Sequence, residues 1–286
     1  MTRVVVTGGS GKLGRACVND LLEHGYEVIN VDMVAPRESR ASFTQIDLTD
    51  YGQVIEAFSA IDSRYRGVDA VVHLAAIPAP GLRANAMTFK NNSLSSYHVM
   101  SAVRQLGIKT LVTASSETVL GLPFDVPPPY VPVDEEYTPR PESSYSLAKT
   151  LDEEMGRQFC RWEPDLKIIA LRFSNVMEVQ DYARFPSFDA DANLRKWNLW
   201  AYIDARDAAQ AIRKSLEFQG KGFDMFIIAN ADTVMSRPNA ELLAECFPNV
   251  PIKKPFAPNE TLLSIDKARR ILGYEPTHSW RNEVKK

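Results

Sequence analysis

Hydrophobic positions along the chain follow two alternating patterns. Short runs of apolar, often β-branched residues alternate with longer stretches in which apolar residues recur every three or four positions. The first pattern is typical of strands buried on both faces, and the second of amphipathic helices. The predicted strands are residues 3–7, 27–31, 41–45, 69–74 and 109–114, and the predicted helices are a stretch ending at His24 and residues 51–60, 84–106 and 145–161. This alternation predicts parallel βαβ units.

The last third of the chain is less regular. It predicts helices at 204–218, 238–246 and 264–273 and a strand at 225–229, with a proline-containing segment at 248–258. A proline-rich segment, 123–141, precedes the helix at 145–161 and is expected to form a lid loop. We therefore expect a small lobe over the strand ends.

A glycine-rich turn at residues 8–14 follows the first strand directly and leads into the first helix. The first glycines allow a tight turn and a close approach to a pyrophosphate, while Gly14 allows the helix to pack close to the strand. This context predicts an α/β fold of the Rossmann type, a doubly wound parallel sheet with a small C-terminal substrate lobe. We expect residues 1–174 with 203–230 to bind the dinucleotide, and residues 175–202 with 231–286 to form the substrate lobe.

Asp32 ends the second predicted strand, 18 residues after Gly14. A carboxylate at this position accepts hydrogen bonds from the adenosine ribose hydroxyls and repels a 2′-phosphate, which favours NAD over NADP. Arg37 and Arg40 are the alternative, because either side chain is long enough to reach back to a phosphate. NAD is the predicted cofactor, with NADP as the less favoured one.

Tyr145 and Lys149 lie four residues apart and so share one face of a predicted helix. An ammonium beneath a phenol favours the ionised phenol, and a nearby hydroxyl donor completes a base for a substrate alcohol. Ser116, at the end of a predicted strand, is the candidate donor. The carboxyl ends of parallel strands share one edge of a sheet, so the glycine turn, Asp32, Ala75-Ala76 and Ser116 are expected on one rim.

Composition and charge exclude several classes. With 286 residues, 45% of them hydrophobic, and a net charge of −3, the chain has no basic face for nucleic acid and no apolar run long enough to span a membrane. The N-terminus has no signal-peptide pattern, and Cys17, Cys160 and Cys246 are odd in number and far apart. Reduced thiols and a cytoplasmic location are therefore expected. The four histidines show no metal-ligand spacing, and no metal site is predicted.

Seven motifs together resemble the extended short-chain dehydrogenases/reductases of the NAD-dependent epimerase/dehydratase family, which act on sugars. The resemblance covers nearly the whole chain. It rests on residues 7–14, Asp47-Leu48, residues 73–76, Ser115-Ser116 followed by Gly121, residues 145–149, residues 171–176 and residues 202–207.

The resemblance implies a role for each site residue. Tyr145 would accept the substrate hydroxyl proton, Lys149 would lower the pKa of the phenol and hold the nicotinamide ribose, and Ser116 would orient the reacting oxygen. The cofactor contacts that it implies are Gly8, Ser10, Gly11, Lys12, Leu13, Gly14, Asp32, Asp47, Leu48, Leu74, Ala75, Ala76, Asn92, Tyr145 and Lys149. The substrate contacts that it implies are Pro78, Ser115, Ser116, Glu117, Asn175 and Arg184.

Departures from the family pattern concern the substrate. Family dehydratases place a paired acid and glutamate after the catalytic hydroxyl, where this chain has Glu117 and Thr118, so the pair that eliminates water is incomplete. Glu117 is expected either to touch substrate or to be an exposed loop acid. Family epimerases usually have a tyrosine at the position of Leu120, and they carry a long excursion that grips a nucleotide. Only 26 residues separate Val176 from Ile203 here, which leaves little room for a nucleotide.

Arg184 lies within this short excursion. It resembles the arginine with which uronate dehydrogenases of the superfamily bind a substrate carboxylate. The planar guanidinium suits such an interaction, because it can donate two parallel hydrogen bonds to a carboxylate. A surface ion pair is the alternative role. Pro78 and Glu117 replace small polar residues of that subgroup, which argues against a hexuronate as the substrate. Trp197 and Trp200 are expected to pack in the core or the lid rather than to support a sugar ring.

The predicted function is the NAD-dependent oxidation of a hydroxyl of a sugar or sugar acid. The alternatives are a nucleotide-sugar 4-epimerase with tightly bound NAD and a non-catalytic dinucleotide-binding regulator on the same fold. A homodimer is also expected, since residues 92–106 and 145–161 carry more apolar residues than one sheet face needs, and such helices pair across a two-fold axis in the family. These surplus residues are Tyr97, Val99, Met100, Leu151, Met155 and Phe159.

Overall fold

The computed structural model describes residues 1–38, 40–61 and 64–284, which form nine strands and eight helices. The strands are β1 (Arg3–Thr7), β2 (Glu27–Asp32), β3 (Ser42–Gln45), β4 (Ala70–His73), β5 (Thr110–Ser116), β6 (Lys167–Phe173), β7 (Val176–Met177), β8 (Ile203–Asp204) and β9 (Gly222–Ile228). The helices are α1 (Lys12–Glu23), α2 (Tyr51–Ser59), α3 (Asn85–Gln105), α4 (Ser144–Trp162), α5 (Ala205–Glu217), α6 (Asn239–Cys246), α7 (Asp266–Leu272) and α8 (Trp280–Glu283).

Seven strands form one parallel sheet in the order β3-β2-β1-β4-β5-β6-β9. The strand order reverses between β1 and β4, because β2 and β3 extend the sheet on one side and β4, β5, β6 and β9 on the other. A crevice opens at such a reversal, beyond the carboxyl ends of the strands. The predicted Rossmann-type, doubly wound α/β fold is confirmed.

Successive residues of β1 face opposite layers of the molecule. Val4 and Val6 pack in one buried cluster with α1 and α5, whereas Val5 packs in a second cluster with α2, α3 and α4. A strand covered on both faces has no polar face, which explains the continuous apolar run in its sequence. The helices packed on both faces hold the strands in place. The carboxyl ends of these strands form the rim that carries the predicted site.

The segment between β7 and β8 folds as three successive 3-10 helices, a long one at Val179–Ala190 and two short ones at Ala192–Leu194 and Lys196–Asn198. Its aromatic residues point inward, with Tyr182 and Phe185 buried against Tyr202. Buried residues of the C-terminal helices, such as Trp280, belong to the same cluster as the sheet residues. The division into a dinucleotide-binding unit and a substrate lobe stays a prediction.

The proline-rich segment expected to form a lid is anchored at its centre. Val131 and Val133 are buried, and their backbones bond to Pro251 and Leu262 in the segment that precedes α7. None of the three cysteines is in a disulfide, and the described residues hold no group of three His, Cys, Asp or Glu that would bind a metal ion. No helix among the residues described is long and apolar enough to cross a membrane.

Candidate active site

A cleft of about 1010 Å³ lies along the carboxyl ends of the strands. It lies beyond the switch point, where Thr7 of β1 pairs with Val31 of β2 and with His73 of β4, and the next residues along these strands line it. One end of the cleft follows β2 and β3, and the other follows β5 and β6. The predicted site residues that line it are Gly8, Ser10, Gly11, Lys12, Leu13, Gly14, Asp32, Asp47, Leu48, Leu74, Ala75, Ala76, Pro78, Ser115, Ser116, Glu117, Tyr145, Lys149 and Asn175.

The glycine turn leaves no space for side chains at two positions. A Cβ on Gly14 would lie 2.1 Å from the carbonyl oxygen of Gly8, and a Cβ on Gly8 would lie 2.6 Å from the backbone nitrogen of Ala75. Gly8 also has a φ of 71°, which favours glycine. No side chain caps the N-terminus of α1 at Gly11, so the first N–H groups of the helix are left for an anion.

The Asp32 carboxylate is held at the β2 end of the cleft. It accepts hydrogen bonds from the backbone N–H groups of Ser10 (3.1 Å) and Val34 (3.1 Å). Arg40, the alternative phosphate ligand, bonds instead to Asn19 and Glu23 on α1. These features therefore fit a dinucleotide with free ribose hydroxyls, such as NAD. The glycine turn and the uncapped helix N-terminus suit its pyrophosphate, and the Asp32 carboxylate suits its ribose hydroxyls.

Ser116 and Thr118 form a small hydrogen-bonded pair at the β5 end of the cleft. The Thr118 backbone N–H (3.2 Å) and hydroxyl (3.0 Å) both donate to Ser116 Oγ. Ser116 Oγ thus accepts twice within the protein, and its own proton remains for a ligand oxygen. The sequence motif identified the serine but gave no sign of the threonine's role.

Tyr145 and Lys149 project from the first turns of α4. The helix begins at a capping box in which the side chains of Ser143 and Ser146 each bond to the other's backbone N–H. Lys149 is only 3% exposed, and its Nζ donates to the carbonyl oxygen of Ala114 on β5 at 2.7 Å. This bond brings the helix and the strand together so that Ser116, Tyr145 and Lys149 face one end of the cleft.

Glu117 is buried, so the exposed loop acid considered as an alternative is wrong. It is 3% exposed and accepts hydrogen bonds from the Ser174 hydroxyl (2.6 Å) and from Asn198 Nδ2 (3.1 Å). Burial raises the pKa of its carboxyl to about 7, against the opposing effects of those two donors and of Arg195. A titratable acid therefore lies in the cleft wall beside Ser116.

The structure places Asn92 and Arg184 outside the cleft, and it places Trp197 against the core and in the cleft lining. Asn92 does not line the cleft, because its buried amide bonds to both backbone groups of Ile77 and shapes the loop after β4. Arg184 is exposed and lies outside the cleft, since its 3-10 turn directs the aromatic residues inward instead. Trp200 is fully buried as expected, but Trp197 lines the cleft.

The sequence did not reveal the interaction partners of two further residues, Arg195 and Lys12. Arg195 is buried, and its guanidinium lies 5.1 Å from the Trp197 ring centre while Nη2 donates to the carbonyl oxygen of Ala201. Lys12 lines the cleft, but its ammonium pairs with Asp181 at 2.6 Å. This pair ties the N-terminus of α1 to the 3-10 segment.

Comparison with known proteins agrees with this geometry. The family model described as "NAD dependent epimerase/dehydratase family" matches residues 4–229. The UDP-glucose 4-epimerase of Erwinia amylovora is 32% identical over 216 residues, which are 70% of this chain and 60% of that protein. The chain spans between 51% and 60% of the length of the first curated relatives that it matches.

Solved structures resemble almost the whole chain. A UDP-galactose 4-epimerase superposes with a TM-score of 0.71 at 27% identity, covering 99% of this chain and 96% of that one. A mutated uronate dehydrogenase superposes with a TM-score of 0.68 at 20% identity, covering 99% and 85%, a likeness that shows the fold alone. From the match over 226 of 286 residues, the chain belongs to the NAD dependent epimerase/dehydratase family, with NAD as its cofactor.

Proposed function

We propose that the protein oxidises a hydroxyl of a sugar or sugar acid with NAD. The observation that carries the proposal is the meeting of Ser116, Tyr145 and Lys149 at one end of a cleft whose glycine turn and Asp32 fit a dinucleotide. A regulator that only binds the dinucleotide needs no phenol, ammonium and hydroxyl facing one point, so this arrangement favours an enzyme.

Tyr145 takes the proton from the substrate hydroxyl at its phenolic oxygen. Ser116 donates its remaining hydrogen bond to the same substrate oxygen, because Thr118 already occupies the acceptor side of Ser116 Oγ. Lys149, held by the Ala114 carbonyl, stabilises the negative charge on the phenol and has further N–H groups free for a ribose hydroxyl. When bound, NAD would supply the acceptor for the hydride that leaves the substrate carbon.

The substrate end of the cleft supports a small ligand. The 3-10 segment that closes it buries Tyr182 and Phe185 in the protein core, so these rings are not available to stack on a nucleotide base. Glu117 and Trp197 line the cleft at that end, with the positive charge of Arg195 beside both. A polar acid, an aromatic ring and a nearby guanidinium suit a monosaccharide or its acid.

A nucleotide-sugar 4-epimerase is the second candidate, favoured by the curated relatives, which are UDP-glucose 4-epimerases. It would use the same proton acceptor, but it would return the hydride to the opposite face of the sugar and give no net change in the cofactor.

A substrate panel distinguishes the candidates. Free sugars, uronates and UDP-sugars are each incubated with protein and NAD, and NADH absorbance and sugar products are followed together. We expect net NADH with a free sugar or a sugar acid. Conversion of UDP-glucose to UDP-galactose without net NADH would establish the epimerase, and bound NAD without turnover of any compound would favour the regulator.

A further inference from the structure

A buried carboxylate lies directly behind Lys149. Asp152 follows Lys149 by three residues on α4 and is 2% exposed, and its Oδ2 is 3.7 Å from Lys149 Nζ. Among the residues that the structure describes, neither carboxylate oxygen of Asp152 has a hydrogen bond of standard geometry, and the Ser96 hydroxyl and the Lys149 ammonium are the donors beside it. A buried carboxylate normally accepts several hydrogen bonds, so the interaction with the ammonium dominates its environment.

The other ionisable groups around Asp152 are committed elsewhere or neutral. Glu153 accepts two hydrogen bonds from Arg172 of β6 (2.8 and 2.7 Å) and one from Ser115. His73 of β4 bonds to Thr7 and to Ser96 of α3, and burial together with Lys149 lowers its pKa to about 3, so the ring is neutral. Asp152 is thus the carboxylate left to balance Lys149.

Burial raises the pKa of Asp152 to about 6, with Glu153 adding to the rise. Lys149 and the nearby Ser96 hydroxyl oppose this shift without cancelling it. The pair of Lys149 and Asp152 therefore gains a net positive charge when the pH falls below about 6.

We propose that Asp152 is a positioning residue that balances the Lys149 ammonium and thereby sets the pH range in which Tyr145 works. The proposal rests on the proposed function of the Ser116, Tyr145 and Lys149 site. The Asp152 anion weakens the positive field that Lys149 exerts on the phenol, because its carboxylate lies 3.7 Å from the ammonium.

Protonation of Asp152 and its replacement by asparagine have the same electrostatic effect, because each leaves the Lys149 ammonium without its compensating charge. The activity profile of the wild type should therefore change near pH 6, where Asp152 gains or loses its charge, and the profile of Asp152→Asn should not. One charge within about 10 Å at an effective dielectric constant of about 20 corresponds to an effect of about tenfold.

The test is the pH profile of kcat/KM for the wild type, Asp152→Asn, Asp152→Glu and the control Glu154→Gln, whose side chain is exposed on the same helix. We expect a step of about tenfold near pH 6 in the wild type, its loss in Asp152→Asn, its retention in Asp152→Glu, and superposition of Glu154→Gln on the wild type. A folded Asp152→Asn variant that keeps the step would overturn the proposal, since a structural role alone lowers kcat without changing the shape of the profile.

A second measurement does not need turnover. In protein labelled with ¹³C-lysine, the Lys149 Cε signal is assigned through its loss in Lys149→Arg and is titrated by NMR. We expect an inflection near pH 6 in the wild type that is absent from Asp152→Asn. Identical titrations would overturn the proposal for Asp152, whereas a protein with the expected titrations but no turnover would contradict only the proposed function.

Discussion

Ser116 owes its orientation to the residue two positions after it. Thr118 donates through its backbone and its hydroxyl, so the serine proton points away from both groups. Glu117, between them, turns the opposite way and joins Ser174 and Asn198 in a buried cluster. In this stretch, Ser116 faces the cleft, Glu117 is part of the cleft wall and Thr118 orients Ser116.

Glu117 should make the stability of the protein depend on pH. Its pKa rises from 4.5 to about 7 on folding, so the folded state binds more protons than the unfolded state between these values. Stability is then lost as the pH rises through that window, by up to about 3 kcal/mol. Urea unfolding of the wild type and Glu117→Gln at pH 4, 5, 6, 7 and 8 should show the variant gaining relative stability with rising pH. A constant difference would refute this account.

Helix α4 carries the candidate site residues Tyr145 and Lys149 along one side and an exposed apolar strip along the other. Tyr145, Lys149 and Asp152 face the cleft and the sheet, as their burial shows. Leu147, Leu151 and Trp162 are exposed, and Tyr97 on the neighbouring α3 is 49% exposed. The expected dimer surface is therefore smaller than the sequence indicated, since Val99, Met100 and Phe159 lie in the core of the same chain.

A homodimer through α3 and α4 remains a prediction. Leu151, 39% exposed at the centre of the strip, should be buried by the partner, so Leu151→Glu should place a charge in an apolar interface. We expect light scattering at micromolar concentration to give a dimer for the wild type and a monomer for Leu151→Glu. The control Leu194→Glu replaces an exposed leucine outside both helices and should remain dimeric. A monomeric wild type would exclude the dimer.

At the scale of the whole molecule, the sequence predicted the regular elements well and the irregular ones poorly. The strands at 3–7 and 27–31 and the long helix at 84–106 agree with the structure within one residue at each end, because burial on both faces and helical periodicity leave a local signal. Residues 179–198 have no such period. The inward turn of Tyr182 and Phe185, and with it the outward position of Arg184, depends on contacts with Tyr202 that no local pattern encodes.

The sequence also did not reveal which residues far apart along the chain interact with each other. The glycine turn, Asp32 and the Tyr-Lys pair were identified from their fixed spacings, and all of them line the cleft. Asn92 bonds to Ile77, 15 residues away, and Lys12 pairs with Asp181, 169 residues away. Such pairs form only when the chain has folded, so a residue type and its position in a motif were not enough to give their roles.

Tyr145→Phe tests the central claim most directly. The substitution removes the phenolic oxygen that accepts the proton and leaves the glycine turn and Asp32 intact. On whichever compound of the panel the wild type turns over, we expect kcat to fall at least about 100-fold, in the range typical of losing a general base, while calorimetry shows NAD binding within about threefold of the wild type. Turnover by Tyr145→Phe at the wild-type rate would contradict the account.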